Sequence, residues 1–204
     1  AASSLLSAAL CVVSSSSTGM DIRNNVLSNT LTGGTTSIAH VAAFLPSGAT
    51  SSMNLTWNNN AYFTGTTAAS QGLAQVGTTA GSGFYLAGDF APGAITPANN
   101  FRAYTSTLSA AGTNDNVSFA TTAAAPFLAN TNLHINPTLP TQIESGGSPV
   151  AGLTDDIDGD VRNVTTPDIG ADEAVASVQL RSASSARSAE SAMLQSVHGT
   201  DAFG

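Results

Sequence analysis

The sequence predicts an all-β fold: a right-handed parallel β-helix (solenoid) with a long loop insertion, an irregular C-terminal cap and a tail. Three observations carry that expectation. Two segments, Met20 to Leu27 and Met53 to Phe63, alternate apolar and polar residues, reach adjacent asparagines, and turn apolar again. Alternation at period two marks a strand with one buried face. Asparagine tolerates the left-handed backbone conformation, so the pairs Asn24-Asn25 and Asn59-Asn60 each let a strand turn a tight corner. Recurrence of such a unit down a chain is how a coiled solenoid is written. The composition agrees: 9% of the 204 residues are charged and 42% hydrophobic. Ordinary globular domains carry about 25% charged residues, and small or β-branched residues suit stacked strands.

Each element follows in order. Residues 5–13 are apolar and β-prone, and 14–19 read as a turn. Residues 20–31 form the first marked strand pair. Gly33-Gly34 turns the chain, Ile38 to Leu45 is a strand, and Pro46-Ser47-Gly48 closes it. Residues 53–63 form the second marked unit, 33 residues after the first, counted from Met20 to Met53. Residues 64–118 read as an insertion, with a short helix at 97–104 capped by Asn99 or Asn100. Strand character resumes from Phe127 to Ile135, and prolines and glycines punctuate an irregular cap at 136–173. One domain is expected over 1–173. Residues 174–204 form an Ala/Ser-rich tail, equally a helix and a linker by pattern. Leu5, Leu10, Val12, Ile22, Val26, Leu27, Val41, Leu55 and Trp57 are expected to point inward.

The chain contains no lysine, and its five cations are Arg23, Arg102, Arg162, Arg181 and Arg187. The net charge of −8 argues against nucleic acid, anionic membranes and polyanionic polysaccharides. Cys11 is the single cysteine, so no intrachain disulfide forms. Its neighbours Leu10, Val12 and Val13 place it as a small core residue. No apolar run approaches the roughly 20 residues a membrane span needs. Scarcity of cysteine and lysine fits export. The chain opens at Ala1 in strand-like sequence without a charged leader, as expected of a processed or partial chain.

The stretch Asn132-Leu133-His134-Ile135-Asn136-Pro137, then Asp155-Asp156-Ile157-Asp158-Gly159-Asp160-Val161-Arg162, then Pro167-Asp168-Ile169-Gly170-Ala171-Asp172-Glu173 is more specific. It resembles the closing segment of large secreted bacterial proteins with right-handed parallel β-helix repeats, and the Asn-marked units resemble the same family's repeats. The resemblance implies export and a pectate-lyase-like fold. It implies little about activity, because function sits in sites rather than folds.

Seven of the thirteen acids fall between Asp155 and Glu173. Packed carboxylates repel unless a cation sits among them. Asp155, Asp156, Asp158 and Asp160 are therefore the candidate calcium ligands, and calcium the one candidate cofactor. The alternative is that these aspartates cap turns while one carboxylate pairs with Arg162. Gly159 falls between the second and third alternating acids, where an EF-hand places its glycine after the third. His40, His134 and His198 show no metal-ligand spacing. The aromatics Trp57, Tyr62, Phe63, Phe84, Tyr85, Phe101 and Tyr104 form either a core or an exposed sugar-stacking strip, with burial the commoner state. Asn54, Asn116 and Asn163 are glycosylation acceptors where that machinery exists.

No residue is assigned a catalytic role. The function expected is a non-enzymatic extracellular or cell-surface structural and adhesive module that self-assembles. The alternatives are a carbohydrate-active enzyme, marked by paired carboxylates in a groove beside Arg23 or Arg102, and a carbohydrate-binding module. The expected partner is a second copy stacked head to tail on the N-terminal strand layer, with polysaccharide as a further partner.

Overall fold

A computed structural model describes residues 6–33, 40–67, 70–79, 83–91, 96–139 and 141–174. The chain divides into two units, Ala1–Ala174 and Val175–Gly204. The second unit lies outside the described residues, as do the tail's expected helix or linker and His198.

The strands of the first unit are β1 (Ser7–Cys11), β2 (Asp21–Arg23), β3 (Val26–Ser28), β4 (His40–Leu45), β5 (Thr56–Asn58), β6 (Ala61–Phe63), β7 (Gln71–Val76), β8 (Phe84–Tyr85), β9 (Phe119–Thr121), β10 (Phe127–Ala129) and β11 (Asn132–Ile135). The α-helix α1 (Phe101–Ser106) and short 3-10 turns at Ser51–Met53 and Ala87–Phe90 interrupt them. β2 and β3 are separated, like β5 and β6, by an asparagine in the left-handed region: Asn24 at φ 57° and Asn59 at φ 52°. No strand continues through that conformation, so each of these strands is three residues long.

The two Asn-marked units lie side by side. Asp21 faces Thr56, Ile22 faces Trp57 and Arg23 faces Asn58; Val26, Leu27 and Ser28 face Ala61, Tyr62 and Phe63. Both ladders are parallel, as are β1 with β4, β4 with β7, and β6 with β9. β7 with β8 and β10 with β11 are antiparallel.

This topology corrects the expected all-β parallel β-helix. The four sheets are small, in the orders β1-β4-β7-β8, β2-β5, β3-β6-β9 and β10-β11, and they mix parallel and antiparallel pairing. Among the described residues no sheet closes or continues as a solenoid. The physical reason lies after β7. The chain turns back as antiparallel β8 along the sheet's edge, then folds into helical turns before reaching β9. The expected insertion at 64–118 is also too wide, since β7 lies inside it as a full parallel neighbour of β4.

The main core gathers Val12, Ile22, Leu27, Leu45, Leu55, Trp57, Tyr62 and Leu73, with Leu10 packed partly against it. Val41 and Phe44 form a small cluster of their own with Leu6, Ala8 and Phe84. All six residues of β4 are buried, which is why its sequence is a continuous apolar run after His40. Val26 packs partly against the cluster of Ala61, Phe63, Ile135, Ile143 and Ile169, which ties the closing segment to β6. Leu5 lies outside the described residues. Cys11 corrects the expectation of a core residue: it is exposed, because it alternates with buried Val12.

Candidate functional site

The closing segment, residues 141–174, docks on the asparagine corner, and the corner's own amides hold it there. Asn24 Nδ2 donates to Ser148 O at 2.7 Å while its Oδ1 accepts from Ser148 N–H at 2.9 Å. Asn59 Nδ2 donates to Gly146 O at 2.9 Å. Gly170 N–H donates to Asn24 O and Gly147 N–H to Pro167 O. One unit further in, buried Asn60 accepts from both N–H groups of Asn25 (backbone and Nδ2) through Oδ1, and donates to Ile22 O. The left-handed corner and the docking surface are therefore made by the same residues.

Within the segment the acids act on the backbone. Asp156 Oδ1 accepts from Asp158 N–H and Asp160 N–H at 2.8 and 2.9 Å, and its Oδ2 accepts from Glu173 N–H at 2.9 Å. Burial raises the pKa of Asp156, but these N–H groups together outweigh it and hold the carboxyl below its ordinary value. Asp168 caps Ser145 N–H and Ala174 N–H, and its burial keeps it above the ordinary value despite those donors. Glu173 accepts from Asn163 N–H and Asp168 N–H. Buried Arg162 donates to the carbonyls of Asp168 and Gly170, with Glu173 at 3.5 Å.

Of the four candidate calcium ligands, Asp155 flanks the turn, bridged to Val161, and Asp160 supplies backbone groups to Asp156. Asp158 reaches outward to His134 Nε2 at 2.7 Å. Among the described residues, one metal-capable trio has ligand atoms within 4.8 Å of one another: His134, Asp158 and Asp172. His134 Nδ1 also meets Asn132 Oδ1, and Asp172 Oδ2 accepts from Ile135 N–H. The hydrogen bond to Asp158 raises the His134 pKa. Sequence spacing concealed this grouping, since the members stand 24 and 14 residues apart (134 to 158, 158 to 172).

Two adjoining cavities, about 440 and 250 Å³, lie between the asparagine corner and the closing segment. Asn24, Val150, Leu153 and Arg162 line both. Phe127, Leu133, Ile135 and Ile169 wall the larger, and Val161, Val164 and Pro167 the smaller.

The aromatic residues sit elsewhere. Trp57, Tyr62, Phe90 and Phe101 are buried together, with Trp57 and Tyr62 each edge-on to Phe101. Trp57 Nε1–H donates to Tyr62 Oη, and Tyr62 O–H donates to buried Asp115 Oδ1 at 2.9 Å. Burial pushes Asp115 up to about 6. Arg23 is held by both carboxylate oxygens of Asp21, and Arg102 donates to the carbonyls of Asn116 and Ser118 while stacking on Phe90.

Comparison of the chain with protein-family models, curated proteins and solved structures finds no match.

Proposed function

We propose that the protein is a non-enzymatic structural module of the extracellular space or cell surface that assembles with copies of itself. The observation that carries this reading is an open edge. β1, β2 and β3 each stand first in their sheets, and among the described residues no strand pairs with their outer sides. Unpaired strand edges are templates for another chain. The opposite edges are better covered: β8 pairs with β7, while Asn114 Oδ1 accepts from Trp57 N–H and Asp115 N–H donates to Trp57 O beside β5. This asymmetry favours pairing of like edges, which closes as a dimer, over the head-to-tail stack expected from sequence alone. Export is supported by the composition and by the closing segment's resemblance to those of secreted bacterial proteins.

Val12 N–H donates to Phe44 O, so the neighbouring Cys11 N–H points to the free edge. Cys11→Pro deletes that donor and leaves the ladder to β4 intact. Sedimentation velocity under reducing conditions should show wild-type oligomers that the variant loses. A wild-type monomer at every concentration would remove the reading.

Calcium belongs to the same proposal as a brace for the closing turn; Asp155, Asp156, Asp158 and Asp160, whose carboxylates stand apart in this structure, would draw together to hold it. Calcium should then raise the melting temperature by several degrees, by binding the folded state only. Equal melting with calcium and with a chelator would exclude the brace.

A further inference from the structure

We infer that the double cavity between the asparagine corner and the closing segment docks an extended, basic peptide segment of a partner protein. In this complex two alternate apolar side chains of the peptide fill the two cavities. Successive side chains of an extended strand point to opposite faces, so residues i and i+2 enter adjoining pockets together. The larger cavity, about 440 Å³, falls in the ordinary size range of ligand sites, and the smaller shares four of its lining residues.

The rim is apolar as well. Seven of the ten large apolar side chains exposed among the described residues lie between Leu128 and Val164, and Leu133, Leu153, Val161 and Val164 line the cavities themselves. Exposed apolar side chains gathered around one groove mark an interaction site.

The polar lining decides against a hydroxyl-rich ligand, because it is already engaged. Both ends of the Asn24 amide are bound to Ser148, Asn25 to Asn60 and the Arg23 carbonyl, and Arg23 to Asp21. Arg162, in the wall common to both cavities, gives its guanidinium to the carbonyls of Asp168 and Gly170, and its Nε is buried behind that wall.

Charge selects the partner. Asp172 lines the larger cavity, Asp155 is bridged to Val161 of the smaller one, and the two lining arginines are already paired, Arg23 with Asp21 and Arg162 with Glu173. This chain has no lysine and its five arginines are scattered, so a second copy offers no basic segment, whereas lysine or arginine flanking the apolar pair of another protein would meet these carboxylates. Arg23 of β2 and Val26 of β3 line the larger cavity but no residue of β1 does, so Cys11→Pro on β1 and Leu153→Ser in the groove report on different surfaces.

The probe is a fluorescein-labelled peptide Lys-Lys-Val-Ser-Val-Lys-Lys, read by anisotropy against the full chain. Saturable binding is expected, weakened by salt and roughly tenfold by Leu153→Ser, an exposed position whose loss should spare the fold. Val164→Ser serves as the second variant and should weaken binding too. Peptides with glutamate for lysine, or serine for valine, should not bind. The inference is overturned by absent saturation, by equal binding of the glutamate peptide, or by unchanged affinity in both variants. Displacement by a neutral oligosaccharide, or self-association lost in Leu153→Ser, would also overturn it, assigning the groove to a sugar or to a second copy.

Discussion

At the scale of single residues, asparagine does two jobs that sequence presents as one. The corner role of Asn24 and Asn59 is legible, because few side chains tolerate a positive φ and adjacent asparagines between alternating strands signal it. Their second role is hidden. The amides grip Ser148 and Gly146, 124 and 87 residues away, and nothing local announces those partners. Asn60 is the sharpest test. Asn60→Ala would orphan the N–H groups of Asn25 and the carbonyl of Ile22, at a cost of about 3 kcal/mol in urea unfolding. Asp115 makes a prediction in pH. Its pKa rises from 3.8 to about 6 on folding, because burial disfavours the charge despite the hydroxyl donors and the Arg102 guanidinium nearby. Its contribution to stability is thus complete below pH 3.8 and lost as pH rises through about 6. Asp115→Asn keeps an acceptor for Tyr62 and tolerates the local φ of 57°. At pH 7.5 the variant should be the more stable by roughly 3 kcal/mol, with the two proteins converging near pH 4. A wild-type-minus-variant difference that stays flat with pH would refute this. Cys11 shows the limit of reading neighbours: strand parity, not the company of Leu10 and Val12, puts it outside.

At the scale of elements, parallel pairing of the marked units could be anticipated because both write the same apolar face around the same corner. β7 could not. Gln71 and Gln75 are buried polar residues, and the Gln71 amide is spent on Thr67 N–H and Thr30 O, so the strand reads as loose polar chain. The helix was readable through its cap, since Asn100 Oδ1 accepts from Ala103 N–H at 2.8 Å, but it runs Phe101–Ser106 rather than 97–104, because the cap fixes its first turn after Asn100. The acid-rich closing segment was readable as a cluster but not as a scaffold. Its carboxylates hold backbone N–H groups supplied by the next turn, an arrangement that exists only after folding. Gly147 tests the clasp. A Cβ there would lie 2.7 Å from Pro167 O and 2.9 Å from Asp168 O, both backbone atoms that cannot yield cheaply. Gly147→Ala should therefore cost about 1–3 kcal/mol. It should also speed proteolytic nicking of the closing segment; unchanged melting and nicking would show that the clasp absorbs a methyl group.

At the scale of the whole molecule, the described residues of a weakly charged, acidic chain present short strand edges that no described strand pairs with, and an apolar groove beside a carboxylate-rich turn. The sequence's period-two pattern foretold stacked strands, but it carries no information on how far stacking continues. That depends on the turn-back at β8 and on the segment that seals β5, which are tertiary facts. The central claim is that the free edge of β1 pairs with another copy. Amide hydrogen exchange at Cys11 and Val12, followed against protein concentration under reducing conditions, tests it most directly. Val12 N–H is already bonded to Phe44 O and should be protected at every concentration. Cys11 N–H should exchange fast when dilute and slow as copies associate. Exchange at Cys11 that stays fast at all concentrations would contradict the account.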